Sequence, residues 1–466
     1  MKIVDPAGSS RVISAPMNTS PVPSIADIQA ALTTGELRIP ALTAGALEAI
    51  ARLNPTYRAF SHLADDAMAR ADALQAERDA GRSRGPLHGL AVSVKGNIPV
   101  SGLPWTEGTR IHATRVASHD AGIVQRVHAA GGIVLGTTTL SELAMYGVTN
   151  AFEPMGLNPW DVARTAGGSS TGAGVASALG LAQVNLGTDS GGSIRNPACH
   201  CGGVGFMPRI GGLSLEGKPN HSPSLSSVGL IGRSVEDVET AWQVLSDAPG
   251  ERIASAPRRL LVLRALVDAM CDDETLELFA AACTRLVDAG FELVDGDVPG
   301  WMAGEQAAGI VSLFESGQAL YRMDLSLASD GIRQRAANAS KLDASIVDAA
   351  RAACAALRSS LPAALGTAGA GAVLTPTWPF AAPELDAHEL DVRGRAVPID
   401  PHRNCFVRAA NAVDACAISL PMGLYPGARV PAGVHLTAPG GDERRLLALA
   451  RVVEGCLPAW PPLPRV

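Results

Sequence analysis

Aromatic side chains are scarce in this sequence: four tyrosines, eight phenylalanines and six tryptophans among 466 residues. So few rings exclude a broad aromatic cage as the basis of recognition. No run of about 18 uncharged apolar residues occurs, so a membrane-spanning helix is not expected. Blocks of five or more like charges, low-complexity tracts and repeats of solenoid length are missing too. The formal net charge is −7 and the pI about 5.8. A nucleic-acid partner is therefore not expected, because phosphate binding needs a basic surface. The opening MKIVDPAGSS carries Asp5 and Pro6 where a secretory leader would continue apolar. The eight cysteines are dispersed, which reads as reduced, mostly buried thiol, and the expected location is cytoplasmic. Cys199-His200-Cys201 lacks the spacing of a zinc knuckle and has no second ligand pair, so no metal is expected.

What is present is a chain 47% hydrophobic and long enough to bury a large core. Residues 1–21 read as a flexible N-terminal arm. Residues 22–84 read as helices: one from a capping box at Ser24 and Asp27 to about Leu37, one over 43–53 ending at Asn54-Pro55, and one over about 62–80. From residue 85 to 466 strand and helix signals alternate. Strand candidates lie in 86–95 and at 133–139, 183–188, 260–266, 371–377 and 416–422, with a helix over 119–130 and an Ala-rich helical region over 301–365. This alternation predicts an α/β class, a single large domain with a mixed or parallel sheet covered by helices.

Three segments carry chemistry. In LAVSVKGN, Lys95 ends a strand where burial is expected, against the ordinary habit of lysine to reach water. In TAGGSSTGAG, Gly167 and Gly168 precede Ser169 and Ser170, with no Lys-Ser or Lys-Thr pair that would make a P-loop. The same run matches G-x-S-x-G at Gly168–Gly172, which would make Ser170 a nucleophile with a distant His402 or His435. The preceding NPWDVART is a poor strand, which counts against that elbow. In GTDSGGSIRNP, the consecutive N–H groups of Ser190, Gly191, Gly192 and Ser193 can form a nest for an oxyanion. Ser193 stands 24 residues after Ser169, the length of a helix and a returning strand, so both can open on one end of the sheet. No histidine stands near Ser193. Burial disfavours the ammonium form, and fully buried lysines reach pKa values of about 5–6. A neutral Lys95, with a hydroxyl as relay, is therefore a candidate base.

The three segments, in this order and spacing, resemble the amidase signature family. The resemblance continues through RGPLHGLAVSVK, AAGGIVLGTTTLSELA, LNPW, CGGVGF, LTPTWP and NAVDACAISLPMGL, and so covers roughly residues 25–458. It implies a central mixed sheet and a Ser–cisSer–Lys set: Ser193 as nucleophile, Ser169 as bridge, Lys95 as base. It further implies a cis peptide between Gly168 and Ser169 and an oxyanion hole at residues 190–193. Ser170, Asp189 and Arg195 become bracing residues, and no metal or organic cofactor is implied. The implied reaction is hydrolysis of a small or aryl carboxamide. The family also contains glutaminase-like subunits of transamidation complexes, which remain the alternative, and a homodimer stays open. Three departures stand out: Gly96 where the family has aspartate, Thr171 in place of a glycine, crowding the bridging segment, and Met207 and Arg209 in FMPR. Pocket walls are expected from Leu143–Tyr146, from 301–340 with Phe314 and Tyr321, and near Trp378.

Overall fold

Local signals set the first helix. Ser24 Oγ accepts from the Asp27 N–H, and the Ser24 N–H donates to the Asp27 carboxylate, both at 3.1 Å, closing the capping box that opens Ile25–Thr34. The next helix, Ile39–Tyr57, runs through Pro55 instead of stopping before it. Proline removes one N–H, but so close to the end only a single turn remains to be weakened. Asn54 is used differently from a stop signal: its side-chain amide holds both the N–H and the carbonyl of Phe60. That contact turns the chain into a strand at 60–63, so the expected helix over 62–80 is confined to Ala67–Asp79.

The computed structural model describes residues 2–4, 10–12, 23–145, 150, 152–247 and 250–458. Its strands are β1 Lys2–Val4, β2 Ser10–Val12, β3 Phe60–Leu63, β4 Ala91–Lys95, β5 Ile133–Thr138, β6 Val184–Asp189, β7 Val204–Met207 and β8 Ser227–Gly232. They continue with β9 Arg259–Val262, β10 Glu292–Asp295, β11 Ala372–Pro376, β12 Glu389–Val392, β13 Arg395–Pro398, β14 Cys416–Leu424 and β15 Pro431–Ala438. Within the expected arm, β1 and β2 pair antiparallel, and the rest of 1–21 lies outside the described residues. LLVLRAL is strand only to Val262; Arg264–Met270 is a helix.

Eleven strands form one sheet in the order β10-β9-β11-β15-β14-β7-β8-β6-β4-β5-β3. The β4–β5, β4–β6, β9–β10 and β9–β11 pairs are parallel and the others antiparallel, the mixed sheet expected. The strands β4 to β8 are buried along their whole length, as strands covered on both faces must be. Helix Thr171–Ala178 packs on β4 and β6, Val235–Leu245 on β8, and Glu443–Cys456 on β14 and β15. The Ala-rich region is helical as expected, and its helices Trp301–Leu320 and Ala344–Ala368 pack on each other around Val311, Leu357 and Leu361. Among the described residues, no helix is long and apolar enough to cross a membrane.

The helix that follows Ser170 starts against backbone with no spare room. A Cβ on Gly172 would sit 2.1 Å from the Ala59 carbonyl oxygen and 2.5 Å from the Thr139 nitrogen. Gly172→Ala is therefore expected to lower unfolding free energy by about 1–3 kcal/mol, the usual loss from overpacking. Urea denaturation checks this; a loss below about 0.5 kcal/mol would show that the β3–β5 corner yields freely.

Candidate active site

Lys95 ends β4 fully buried. Its Nζ lies 2.6 Å from Ser169 Oγ, 2.8 Å from Thr188 Oγ1 and 3.3 Å from the Thr188 carbonyl. Asn97 donates to the same Thr188 hydroxyl oxygen at 3.2 Å. Burial pushes the Lys95 amine well below the ordinary lysine value, helped by the nearby charge of Lys218 and opposed by Asp189. A neutral amine has two N–H groups and one lone pair. Thr188 Oγ1 and the Thr188 carbonyl can take the two protons, which leaves the lone pair for the Ser169 hydroxyl.

Ser169 follows a cis peptide from Gly168. Ser170, one residue on, turns the other way: its hydroxyl donates to the Thr188 carbonyl at 3.1 Å and accepts from the Thr188 N–H at 3.3 Å. Residues 158–165 form no strand of the sheet, so the elbow that a Ser170 nucleophile needs is not formed. His435 instead faces Arg195 and Thr437. The buried Thr171 donates its hydroxyl to the Gly167 carbonyl at 2.7 Å and ties the loop to the helix. At position 96, a Cβ would meet Leu140 at 3.0 Å and the Thr138 carbonyl at 3.1 Å, so the space suits glycine.

The loop after β6 wraps around the Asp189 carboxylate. Oδ1 accepts from the N–H groups of Gly191 (3.1 Å) and Gly192 (2.7 Å), from Arg195 Nη2 (3.0 Å) and from Asn411 Nδ2 (3.0 Å). Oδ2 accepts from the Ile194 N–H at 3.0 Å and from Arg195 Nε at 3.1 Å. Burial alone would raise this carboxyl; the Arg195 charge and the backbone donors overcome it and hold it far below the usual carboxylate range. Of the expected nest, the amides of Gly191 and Gly192 are turned toward this carboxylate, since a buried carboxylate demands donors. The N–H groups of Ser190 and Ser193 have no hydrogen-bond acceptor among the described residues. Gly192, at φ +109°, is held where a Cβ would strike Val407 at 2.6 Å.

Arg195 is fully buried and is braced by the far end of the chain. Nη1 donates to the Val407 carbonyl (2.7 Å) and contacts His435 Nε2 (3.0 Å), and Nη2 donates to Asn411 Oδ1 (2.7 Å). Burial, with Arg195 alongside, pushes His435 well below the ordinary histidine value and keeps it neutral. Nε2 is then the acceptor for Arg195, and the proton sits on Nδ1, 3.3 Å from Thr437 Oγ1.

Ser169, Ser190, Gly191 and Ser193 open on a cavity of about 440 Å³. Ser169 and Ser193 also border a second hollow of about 70 Å³, with His200 and Trp378. Of the expected walls, Leu143 and Met145 line the larger cavity, and Tyr146 lies outside the described residues. From 301–340 the lining residues include Gly309, Ser312 and Arg335; Phe314 faces Arg351, and Tyr321 is exposed. Met207 touches Asn411 at 3.1 Å, whereas Arg209 reaches outward toward Glu443. Sequence reasoning missed Thr188 and Asn97, which lie inside the motifs it quoted. It quoted the segment that Asn411 opens without giving Asn411 a role, and it named His435 only as a partner for Ser170; both meet Arg195 across more than 200 residues.

Comparison with known proteins agrees with this fold. The sequence profile of the amidase family matches residues 41–447. The chain is 39% identical over 226 residues to a glutamyl-tRNA(Gln) amidotransferase subunit from Rhodopirellula baltica, a match over 48% of this chain and 45% of that one. This chain thus spans about half the length of that relative. With the corresponding subunit from Salinispora arenicola it is 29% identical over 94% of this chain and 98% of the relative. Among solved structures, an amidase superposes with a TM-score of 0.87 at 28% identity, over 94% of this chain and 100% of that one. The native peptide amidase of Stenotrophomonas maltophilia gives 0.80 at 26%, over 96% and 99%. On the reach of the profile and the shared sheet, the chain belongs to the amidase signature family.

Proposed function

We propose that this protein hydrolyses the C–N bond of a small or aryl carboxamide through an acyl-enzyme on Ser193. The observation that carries the reading is the buried Lys95 amine 2.6 Å from Ser169 Oγ, in a cavity that Ser193 shares. Ser193 Oγ attacks the carbonyl carbon as its proton moves to Ser169, whose own proton moves to Lys95 Nζ. The N–H groups of Ser190 and Ser193 face the developing oxyanion, where one donor in comparable sites is worth about 2.7–4 kcal/mol. Asp189 and Arg195 keep those amides in place without touching substrate. The relay then runs backward: Lys95 returns a proton through Ser169 to the leaving nitrogen, the C–N bond breaks, and water hydrolyses the ester by the same route.

The amidotransferase relatives favour a second reading, a glutaminase-like subunit that works with partner chains, since one of them matches over nearly its whole length. Turnover of simple amides by the isolated chain supports the first reading; a stable co-purifying partner and no turnover alone support the second.

Fluorophosphonate labelling with peptide mass mapping tests the nucleophile. Label is expected on Ser193 and is expected to fall at least about 100-fold in Lys95→Ala, the scale of a lost general base. Label on Ser170 would overturn the assignment.

A lysine that is neutral when folded and charged when unfolded makes stability depend on pH in a stated direction. The unfolded chain binds the extra proton, so wild type gains stability as pH rises, up to the ordinary lysine pKa of about 10.4. Relative to Lys95→Met, wild type should gain stability as pH rises, with a slope approaching about 1.4 kcal/mol per pH unit over the window between the lowered folded pKa and about pH 10. Urea unfolding of both proteins across that window measures the slope, and a flat difference would mean that Lys95 is charged in the fold.

A further inference from the structure

The larger cavity is unevenly charged. Lys218, Arg335, Arg403 and Arg408 line it, with Asp400 as the lining carboxylate and Glu305 behind Arg408. Arg403 pairs with Asp400 at 3.3 Å and Arg408 with Glu305 at 2.9 Å. Arg335 has no carboxylate within 4 Å among the described residues. Its partners are hydroxyls, Nε to Ser316 Oγ at 2.8 Å and Nη2 to Ser312 Oγ at 3.0 Å. Burial, together with the charges of Arg408 and Arg403, pulls it down only to about 10, so it stays protonated at neutral pH. Arg335 is half-buried, and its guanidinium, held by hydroxyls instead of a counter-ion, is free to pair with an anion that enters the cavity.

The placement gives this charge a use. Gly309, Ser312 and Ser316 follow one another at helical spacing along one face of Trp301–Leu320. Arg335 rests on the two serines. Arg408 lies against Gly309, where a Cβ would come within 3.0 Å of Nη1. Its other side lies against Gly191 of the loop that carries Ser193, where a Cβ would meet Nε at 3.4 Å. The two guanidiniums thus run along one wall from the loop of the nucleophile into the cavity. Lys218, whose Nζ donates to the Pro219 carbonyl at 2.9 Å, is a further lining amine with no carboxylate within 4 Å among the described residues.

We infer that the amide cleaved in this site carries a carboxylate, bound by Arg335 with Arg408 beside it. The inference rests on the amidase reading and narrows it: neutral aliphatic amides fill the cavity without meeting its charge, whereas the monoamide of a dicarboxylic acid satisfies both ends.

The test uses matched probes: succinamate, glutaramate, adipamate and 4-carbamoylbenzoate, beside butanamide, pentanamide, hexanamide and 4-methylbenzamide. Protection of Ser193 from fluorophosphonate is measured for each, together with the thermal shift that each gives the Ser193→Ala chain. The best carboxylated probe is expected to protect at concentrations at least about tenfold lower than its neutral partner. Arg335→Met should remove most of that ratio, and Arg335→Lys should restore part of it, which a purely structural loss would not do. Equal or better protection by the neutral amides, with Ser193 still labelled, overturns the carboxylate inference and leaves the amidase reading intact. Absence of label on Ser193 overturns the amidase reading. The thermal shifts then decide the carboxylate inference alone, which falls if the charged probes stabilise the chain no more than the neutral ones. Should Arg335→Met not fold, the wild-type ratio and Arg335→Lys decide.

Discussion

Six hydrogen bonds converge on the carboxylate of Asp189, and the geometry around Ser193 follows from them. An ion pair with both partners out of water is not by itself a source of stability, because desolvation offsets much of the attraction. What it provides here is position. Removing any of the donors would leave a buried charge exposed to low dielectric, so the loop has one arrangement and few alternatives. The same argument fixes the pH range of the contribution. The folded carboxyl titrates far below the unfolded one, so this stabilisation is present above about pH 4 and is lost as acid approaches the lowered folded value.

Lys95 presents the opposite electrostatic situation. Asp189 is charged and saturated with donors; Lys95 is stripped of water and offered only neutral oxygens, which lowers its hold on a proton. Asp189 raises the lysine pKa slightly, and Lys218 lowers it further. The two ends of the parallel strands β4 and β6 therefore hold a fixed anion and a lysine of lowered pKa side by side, with no ion pair between them among the described residues. Thr188 separates the roles, since its hydroxyl and carbonyl face Lys95 while its backbone N–H and carbonyl also engage Ser170.

The parts of this arrangement legible in the sequence are those whose demands are local. A lysine at a strand end, glycines before a serine, and Asp-x-Gly-Gly-Ser constrain the backbone within a few residues, and they mark Lys95, Ser169 and Ser193. The strand segments were readable for the same reason. Pro55 misled because its effect depends on how much helix follows it, and the segment from 62 misled because pairing with β5 overrode its helical composition. Sequence could not show which way the amides of Gly191 and Gly192 point, because that depends on a carboxylate that Arg195 and Asn411 hold in place. Arg335 stands in no quoted motif, and nothing local to Asn411 or His435 shows that either meets Arg195. They enter the site through strand order and helix packing, across hundreds of residues.

The order of strands in the sheet has a consequence for how the protein comes into being. β14 and β15, from the last part of the chain, lie between β11 on one side and β7 on the other. They join strands made early in synthesis to strands made late. Until the ribosome has passed residue 438, the sheet has two unfinished edges at its middle, and Arg195 lacks Val407, Asn411 and His435. A nascent chain thus carries Ser193 long before Val407, Asn411 and His435, which brace Arg195 beside it, exist. Such long-range closure makes folding slow relative to local structure, and it leaves the surroundings of Ser193 incomplete until the chain is nearly finished.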